Sequence, residues 1–406
     1  MKKIIFLFLG ILIFWAYASY SIQKDESIKE VTFWTLQMND FDDYIYKIIR
    51  AYEKSNPKIK IKWVDVPFSE GEKRTLAAVM TDNPPDLINL NPDFSSLLAQ
   101  KSVLEPIEHN KVTDFNQEII EALEYNGTLY SIPWYATSAI TIYNKDLFEK
   151  ANILRLPKNY EELSAISNKI KESTGVYAFL PTITENDSMV KILNKYGISD
   201  IEDYNSDNSK KIFNMFKNLY QQDLIPKETI TFTHREALEQ YMAGKIVFFQ
   251  GGANFLKMIE ENAPSVYETT DITEQIKGSL GQNDFSLMNF VIPKKAKFKK
   301  EALDFCLFLT NKENQLELAK RTNIIATNSE ALKNEFYNDN STLESKARSI
   351  SAKQINNIHP YLKQKRAQKE INTVVNSTVQ SILLEKVSTE QALDNLVDTL
   401  KQYSKK

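Results

Sequence analysis

Several aromatic and small polar residues follow the predicted strands of this sequence, where their side chains would be free to recognise a ligand. An aromatic ring complements the apolar C–H face of a sugar ring, while amide, carboxylate and backbone N–H groups pair its hydroxyls. A carbohydrate would use both kinds of group. The candidate residues at these strand ends are Trp34, Asn91, Asp93, Trp134, Tyr135, Gly252 and Phe255.

Most of these candidates also have a purely structural interpretation. Trp34 lies among strand residues, which suits a core position. Asn91 and Asp93 flank a proline, and Asn-Pro-Asp is good turn and helix-cap chemistry. Gly252 suits a tight turn, and Phe255 lies at helical spacing within an apolar stripe. For these residues both interpretations stay open from the sequence.

For Trp134 and Tyr135 the local sequence favours contact with a ligand over a position in the core. The Asn-Gly pair at 126–127 predicts a hairpin, Pro133 is expected to stop regular ladder pairing, and 139–144 returns as a strand. The two rings are therefore expected at a break between patterned segments, with no regular apolar stripe to join. The sequence predicts that both rings are accessible to a visiting molecule.

No catalytic spacing occurs in the sequence. It has no HExxH, GxSxG, phosphate-loop or GxGxxG pattern, and its histidines, His109, His234 and His359, are far apart. We therefore expect no catalytic residue, no cofactor and no metal. Because catalytic groups can converge from distant positions, a secreted carbohydrate-acting enzyme, which also uses aromatics and carboxylates in a cleft, is the alternative.

The elements that would position the candidates alternate between strand and helix. A chain of 406 residues exceeds what one core usually holds, so two domains are expected. Alternating strands and helices predict a mostly parallel sheet in each, and ligands bind beyond the carboxyl ends of such strands. The main predicted elements are the strands 31–36, 58–66, 86–90, 139–144, 176–181 and 246–250 and the helices 41–55, 160–172, 371–385 and 388–403.

Composition and charge exclude several classes of protein. The chain is 42% hydrophobic, 25% charged and 11% aromatic, which is typical of a folded protein rather than a disordered one. A formal net charge of −3 without a basic stripe argues against nucleic acid as a partner. The single cysteine, Cys306, lies in an apolar run and is predicted to be core, so no internal disulfide is possible.

The N-terminus has the pattern of an export signal. Two lysines precede an apolar run over 4–15, and Ala16-Tyr17-Ala18 places small residues where signal peptidase needs them. We predict a signal peptide over 1–18 and a linker over 19–30, in an exported protein of the periplasm or cell surface. An uncleaved N-terminal anchor is the alternative. Lipid attachment through an N-terminal cysteine is excluded, since no cysteine lies there.

One long segment resembles a known family. The pattern 127-GTLYSIPWYATSAITIYNKDLFEKANI-153, followed by 160-YEEL-163, resembles the extracellular solute-binding proteins of ABC importers, in the sugar-binding group that includes maltose-binding protein. The similarity extends to "VTFWT", "DNPPDLINL", "MAGKIVFFQGGANF" and "STEQALDNL", in the expected order. It thus covers nearly the whole mature chain.

The resemblance implies a two-lobed periplasmic-binding-protein-like α/β fold of type II, with the ligand in a cleft between the lobes. It places lobe 1 at 31–136 plus about 290–345 and lobe 2 at 137–289 plus about 346–406. It implies a monomeric receptor that closes about a hinge and delivers its solute to ABC permease membrane subunits. The residues that it implies for the cleft are Trp34, Asn91, Asp93, Trp134, Tyr135, Thr137, Gly252, Asn254 and Phe255.

The chain departs from the family pattern at one point. Many relatives carry a tryptophan just after the glycine turn, whereas this chain has Ala253, Asn254 and Phe255 there. Stacking from that side is therefore in doubt, and with it an oligosaccharide ligand. The sequence leaves a monosaccharide, an oligosaccharide, a polyol, a phosphorylated polyol and an oligopeptide open as the ligand. The side chains that suggest a polar wall instead are Gln250, Asn254, Asn283 and Asn289.

Overall fold

The computed structural model describes residues 28–322, 324–355 and 368–404. The predicted signal peptide and most of the predicted linker lie outside these residues, so both stay predictions. Within the described ranges, no helix combines the length and the apolar character that crossing a membrane requires.

The described residues form eleven strands, and the principal predicted strands are among them. In chain order these are β1 (Lys29–Leu36), β2 (Ile59–Val66), β3 (Leu87–Leu90), β4 (Glu124–Tyr125), β5 (Thr128–Leu129), β6 (Ser131–Asn144), β7 (Tyr177–Phe179), β8 (Ile246–Gly252), β9 (Thr270–Glu274), β10 (Phe285–Val291) and β11 (Ile325–Ala326).

The same residues form α-helices that separate most of the strands. They are α1 (Asp42–Ser55), α2 (Phe68–Val79), α3 (Pro92–Gln100), α4 (Gln117–Ala122), α5 (Lys145–Lys150), α6 (Tyr160–Thr174), α7 (Ser188–Asn194), α8 (Asp207–Gln221), α9 (His234–Met242), α10 (Asn254–Asn262), α11 (Pro264–Glu268), α12 (Lys299–Leu309), α13 (Lys312–Thr322), α14 (Ser329–Leu332), α15 (Leu343–Gln354), α16 (Gln368–Leu383) and α17 (Thr389–Ser404).

The chain folds into two compact units. The first contains 28–90, Val103–Glu105 and Val291–Leu309, and the second contains Asn91–Ser102, Pro106–Phe290 and the described part of 310–404. These units divide the chain differently from the predicted lobes, because 106–136 and 310–345 pack with the second unit. The lobe boundaries themselves stay a prediction.

The first unit is built on a parallel sheet. β1 is its central strand and pairs in parallel with β2 and with β3. Helix α1 covers it with an apolar stripe that includes Ile45, Ile48 and Ile49, as the helical periodicity predicts. The T-shaped contact between Phe33 and Phe305 lies in this core, next to the buried Cys306. The prediction that Cys306 is a core residue is confirmed.

The second unit mixes parallel and antiparallel pairing. β7 and β8 are parallel, as a strand-helix-strand connection requires, while β6 runs antiparallel to β8, β9 and β11. An extensive apolar core of this unit lies among helices α6, α7, α8, α16 and α17. The predicted α/β fold class is confirmed, with a mixed sheet in this unit.

The segment around Pro133 is one continuous strand. The hairpin before it forms as predicted, between β4 and β5, with φ of 51° at Asn126 and 74° at Gly127. However, β6 runs without interruption from Ser131 to Asn144, so the predicted break at Pro133 is wrong. Proline lacks only its own N–H, and a strand tolerates it where no ladder bond needs that group.

Candidate functional site

Three of the predicted ligand residues lie on β6, and the alternation of the strand separates them. Successive side chains of a strand point to opposite faces of its sheet. Trp134 is fully buried, Tyr135 is partly exposed and Thr137 is exposed. Tyr135 and Thr137 therefore share the accessible face, and Trp134 lies on the other.

Trp134 is a core residue, so the prediction that its ring is accessible is wrong. The indole packs on the ring of Phe290, with 4.6 Å between the centroids and 32° between the planes. The Thr327 hydroxyl donates to the main-chain oxygen of Trp134 at 3.1 Å. The physical reason is that Pro133 does not interrupt β6, so the period of two continues and places this ring inside.

Tyr135 and Thr137 approach the end of β8. Ala139, two residues beyond Thr137 on the same face, is paired with Gly252. Burial raises the pKa of the Tyr135 phenol to about 12, so the phenol stays protonated at neutral pH. The structure therefore brings Tyr135, Thr137 and Gly252 to one edge of the sheet in the second unit.

The residues after β8 have different surroundings. A Cβ atom at Gly252 would clash with the Asn254 side-chain oxygen, so a larger residue there would displace the Asn254 side chain. Asn254 is exposed at the start of α10. Phe255 is half buried, with its ring centroid 5.7 Å from that of Phe249 and 5.4 Å from that of His234. Phe255 thus belongs to an aromatic cluster of the core.

Asn91 and Asp93 lie at the start of α3. The Asn91 side-chain oxygen accepts a hydrogen bond from the main-chain N–H of Phe94 at 2.8 Å, which makes Asn91 the N-cap of the helix. Asp93 is exposed in the first turn of the helix, where its negative charge interacts favourably with the helix dipole. The capping interpretation of Asn91 is confirmed, while ligand contact by either residue stays a prediction.

Trp34 lines a broad groove in the first unit. The groove has a volume of about 620 Å³ and lies beside the residues that precede β3. One of its carboxylates, Asp86, is buried and accepts the main-chain N–H groups of Thr32 and Phe298, each at 2.9 Å. The other principal lining residues are Glu30, Lys62, Pro84, Pro85 and Lys297.

The predicted polar wall is only partly present. Asn283 is buried and donates to the main-chain oxygen of Gln354 at 3.0 Å, and Asn289 is buried and donates to the Ser95 hydroxyl at 2.7 Å. Both amides are therefore structural, and the prediction that they form a ligand-facing wall is wrong. The sequence could not show this, because their partners lie far away in the chain. Gln250 does line a pocket.

This pocket, with a volume of about 160 Å³, lies at the carboxyl ends of the parallel strands β7 and β8 in the second unit. Such ends are the usual location of ligands in α/β sheets. Its apolar lining includes Leu163, Phe179, Leu180, Ile183, Phe248 and Phe249. Its polar lining includes Tyr160, Thr182, Ser188, Lys191, Gln250 and Asp284.

Gln250 is held in a fixed orientation on the pocket floor. Its side-chain oxygen accepts the main-chain N–H of Ile276 at 3.2 Å, and its amide nitrogen lies 3.5 Å from the Tyr160 hydroxyl. The Tyr160 oxygen therefore faces a donor and keeps its own proton available for an acceptor. Burial raises the pKa of Tyr160 above its ordinary value, so the phenol remains a donor at neutral pH.

The pocket has almost no uncompensated charge. Asp284 forms a 2.6 Å ion pair with Lys195, and Lys191 forms a 3.2 Å pair with Asp187. Burial lowers the pKa of His234, whose main-chain N–H donates to the Glu185 carboxylate at 2.6 Å. The His234 imidazole is therefore neutral at pH 7. These paired and neutral groups suit an uncharged ligand.

Sequence reasoning missed most of these pocket residues. It correctly predicted the strands 176–181 and 246–250 and the rule that ligands lie beyond strand ends. Pro181 and Thr182, which end the first of these, were the available signal. Tyr160 and Asp284 carried none, because they reach the pocket from a helix start and a loop that only the tertiary fold brings together.

The sequence is similar to that of known binding proteins. Residues 47–345, more than half of the chain, match the bacterial extracellular solute-binding protein family. A Brucella abortus protein assigned as a binding protein is 24% identical over 318 residues, covering 74% of this chain and 76% of its own. The mannitol-binding protein of Pseudomonas aeruginosa is 29% identical over 138 residues, 33% of this chain and 31% of its own.

Solved structures agree with the fold. A Synechococcus sp. MITs9220 protein assigned as an oligosaccharide periplasmic-binding protein is 27% identical, with a TM-score of 0.81 over 92% of this chain and 99% of its own. The sugar-binding protein MalE from Xanthomonas citri is 19% identical, with a TM-score of 0.78 over 93% of this chain and 97% of its own. The second likeness concerns the fold alone.

Proposed function

Because the chain belongs to the bacterial extracellular solute-binding protein family, we propose that it binds a sugar or polyol, with one ring-sized part of that ligand in the pocket of the second unit. The observation that carries this proposal is the pocket at the carboxyl ends of β7 and β8. It combines aromatic walls with oriented polar groups, the combination that a hydroxylated ring requires.

The size of the pocket supports a single ring. An apolar cavity of about 150 Å³ accommodates benzene, so about 160 Å³ of free volume suits one six-membered ring. Phe179, Phe248 and Phe249 present apolar surface to the C–H face of such a ring. Tyr160 and Gln250 lie where its hydroxyls need a donor and an acceptor. A longer oligosaccharide would extend beyond this pocket.

The relatives support the same ligand class. One matching protein binds mannitol by name, another binds diacetylchitobiose, and a solved structure of the same fold is assigned to oligosaccharides. All three names describe hydroxyl-rich solutes. On this basis we favour a sugar or polyol ligand for this chain too.

The secreted enzyme is the less favoured alternative. The family and its structural neighbours are binding proteins. Incubation of a bound glycan with the protein separates the two functions, since a receptor returns the glycan intact. Appearance of shortened products on chromatography would favour the enzyme.

We also infer an extracytoplasmic location, delivery to an ABC permease and a monomeric state without nucleic acid. The family description and the resemblance to importer receptors support the first two. Cleavage of the N-terminus, retention by an anchor and hinge closure stay predictions.

A thermal-shift screen tests the proposal. The melting temperature of the full chain should rise by several degrees with a saturating sugar, because a ligand that binds only the folded state stabilises it. Ser188→Trp places a bulky ring in the pocket and should abolish the rise. Ser377→Trp, at an exposed serine of α16, is the matched control and should respond like the parent. An unchanged rise in Ser188→Trp would contradict the location of the site.

A further inference from the structure

A buried lysine forms an ion pair with a carboxylate that lines the pocket. Lys195 follows α7, and its side chain is 2% exposed. Its ammonium forms a 2.6 Å ion pair with Asp284, whose side chain is 21% exposed and lines the pocket. Lys195 itself does not line the pocket. The pair therefore has one member inside the protein and one member at the ligand site.

The Lys195 ammonium is well satisfied for a buried charge. Besides Asp284, it donates to the main-chain oxygen of Ile276 at 2.7 Å and lies 3.4 Å from the Gln275 side-chain oxygen. Burial is the largest single influence on the pKa of Lys195 and lowers it, but the opposing effects of Asp284 and Tyr160 together leave this pKa above its ordinary value. The lysine is thus charged at neutral pH and holds one carboxylate oxygen.

The main chain of Asp284 is fixed as well. Its N–H donates to the Gln275 side-chain oxygen at 2.7 Å, and its main-chain oxygen accepts the Gln275 amide at 3.0 Å. One glutamine amide therefore clamps the peptide groups on both sides of the Asp284 side chain. A group held by both its main chain and its side chain is preorganised for binding.

A second layer supports this clamp. The Gln354 side chain accepts the main-chain N–H of Gln275 at 2.9 Å and donates to the Ser138 hydroxyl and the Ala139 main-chain oxygen, each at 2.8 Å. Gly278 permits the close approach, since a Cβ atom there would lie 2.7 Å from the main-chain carbon of Lys195. The network is far more elaborate than a surface ion pair requires.

We propose that Asp284 is a specificity residue that accepts hydrogen bonds from two adjacent hydroxyls of a neutral sugar or polyol, and that Lys195 positions its carboxylate. This inference rests on the proposed function and narrows its ligand class. A carboxylate can accept from two hydroxyls at once, and such charge-assisted bonds are strong. Tyr160 and Gln250, on the same pocket, lie within reach of the remaining edge of the ring.

The same charges disfavour an anionic solute. Asp284 would repel a phosphate or carboxylate group brought against it. Lys195 is committed to Asp284, and Lys191 is paired with Asp187, so neither is an uncommitted cation for the incoming charge. The pocket therefore selects a neutral solute over its phosphorylated counterpart, which narrows the ligands that the sequence left open.

Calorimetric titration of the full chain tests the assignment of Asp284. The neutral probes are D-glucose, D-mannitol and maltotriose, and the anionic probes are glucose 6-phosphate and glycerol 3-phosphate. We expect a neutral probe to bind most tightly and Asp284→Asn to weaken it about 10- to 100-fold, the range for a hydrogen bond to a charged group. Asp271→Asn is the matched control. It removes a carboxylate with a 2.6 Å lysine pair elsewhere in the same unit, and its affinity should match the parent.

The outcomes separate this inference from the proposed function. A neutral probe that binds Asp284→Asn within twofold of the parent overturns the inference and leaves the sugar receptor standing. Tighter binding of a phosphorylated probe overturns it too. If no neutral or anionic probe binds, the proposed function fails and this inference falls with it. Where Asp284→Asn does not fold, the double variant with Lys195→Met, which removes both charges, is interpreted in the same way.

The positioning role of Lys195 needs a readout beyond stability. In the parent, the tightest neutral probe should bind more strongly than its single-deoxy analogue. In folded Lys195→Met the ratio of these two affinities should fall toward one, because Lys195 no longer fixes the position of the Asp284 carboxylate. A purely structural lysine would lower the melting temperature and leave the preference unchanged, and that result would refute the positioning role.

Discussion

The groove of the first unit and the pocket of the second contrast in size and in chemistry. The groove is larger, about 620 Å³ against about 160 Å³. The buried carboxylate of the groove, Asp86, accepts hydrogen bonds from two main-chain N–H groups. The Asp284 carboxylate of the pocket instead forms an ion pair with Lys195, a buried side chain that does not line the pocket. Both aspartates line a cavity, but the Asp86 carboxylate is bound by main-chain N–H groups of the fold, whereas the Asp284 carboxylate is paired with a buried lysine side chain.

The two sites also differ in their position on the sheets. The groove lies beside the residues that precede β3, at the amino end of that strand, while the pocket lies at the carboxyl ends of β7 and β8. Ligands of open α/β sheets bind at carboxyl ends. We therefore place the proposed ligand site in the pocket on the grounds of its position on the sheet and its oriented polar groups, and not of its volume.

The largest expected effect is a loss of stability on replacing Trp134, whose ring lies outside both the groove and the pocket. Trp134→Ala should lower the free energy of unfolding by about 3–5 kcal/mol, because it empties a fully buried position packed on Phe290. Urea unfolding measures this loss. Trp134→Phe, which keeps a ring on Phe290, should lose less. Weakened sugar affinity in the folded Trp134→Ala protein, with stability intact, would show that binding is not confined to the pocket.

The second effect tests the structural role of the groove carboxylate. Asp86→Ala leaves the N–H groups of Thr32 and Phe298 without their acceptor and should cost about 2–4 kcal/mol of stability. Sugar affinity of the folded fraction should not change. Asp82→Ala is the control, since that carboxylate is exposed and pairs only with Lys295 in the described contacts. A tenfold loss of affinity in Asp86→Ala would remove the distinction between the two carboxylates.

A smaller effect sharpens the assignment of the pocket. Tyr160→Phe removes the hydroxyl beside Gln250 and should weaken sugar binding about 3- to 10-fold, the worth of one neutral hydrogen bond. Tyr143→Phe removes a buried hydroxyl that contacts Asp271, outside the pocket, and should bind normally. Equal affinities of the two variants, measured by calorimetry, would place the ligand elsewhere.

The smallest effect is expected at Trp34. Trp34→Ala opens the groove of the first unit, and we expect sugar affinity to stay within about twofold of the parent, since one partly exposed ring outside the proposed site contributes little to binding. The resemblance to importer receptors instead assigns this ring to the ligand cleft. A tenfold or greater loss of affinity would support that assignment against a site confined to the pocket of the second unit.

The sequence predicted the elements of the fold well, because their signals are local. The periodicity of α1, the hairpin at 126–127 and the cap at Asn91 depend on residues a few positions apart. Burial of individual residues is harder to predict. The prediction for Trp134 fails because a proline usually ends a strand, whereas β6 continues through Pro133.

The site was harder to predict than the fold, because its groups meet only in three dimensions. Tyr160, Gln250 and Asp284 come from three distant parts of the chain. The lysine behind Asp284 lies after a short helix with no charge pattern that would mark it. Asn283 and Asn289 looked equally suitable as ligand residues, and only their buried partners distinguish them from Gln250.

The most direct test is a crystal structure of the full chain with the sugar or polyol that raises its melting temperature most. We predict electron density for one ring of that ligand in the pocket of the second unit, with hydroxyls within hydrogen-bond distance of Gln250 and of the Asp284 carboxylate. Density for the ligand against Trp34 in the groove of the first unit, with the pocket empty, would contradict this prediction.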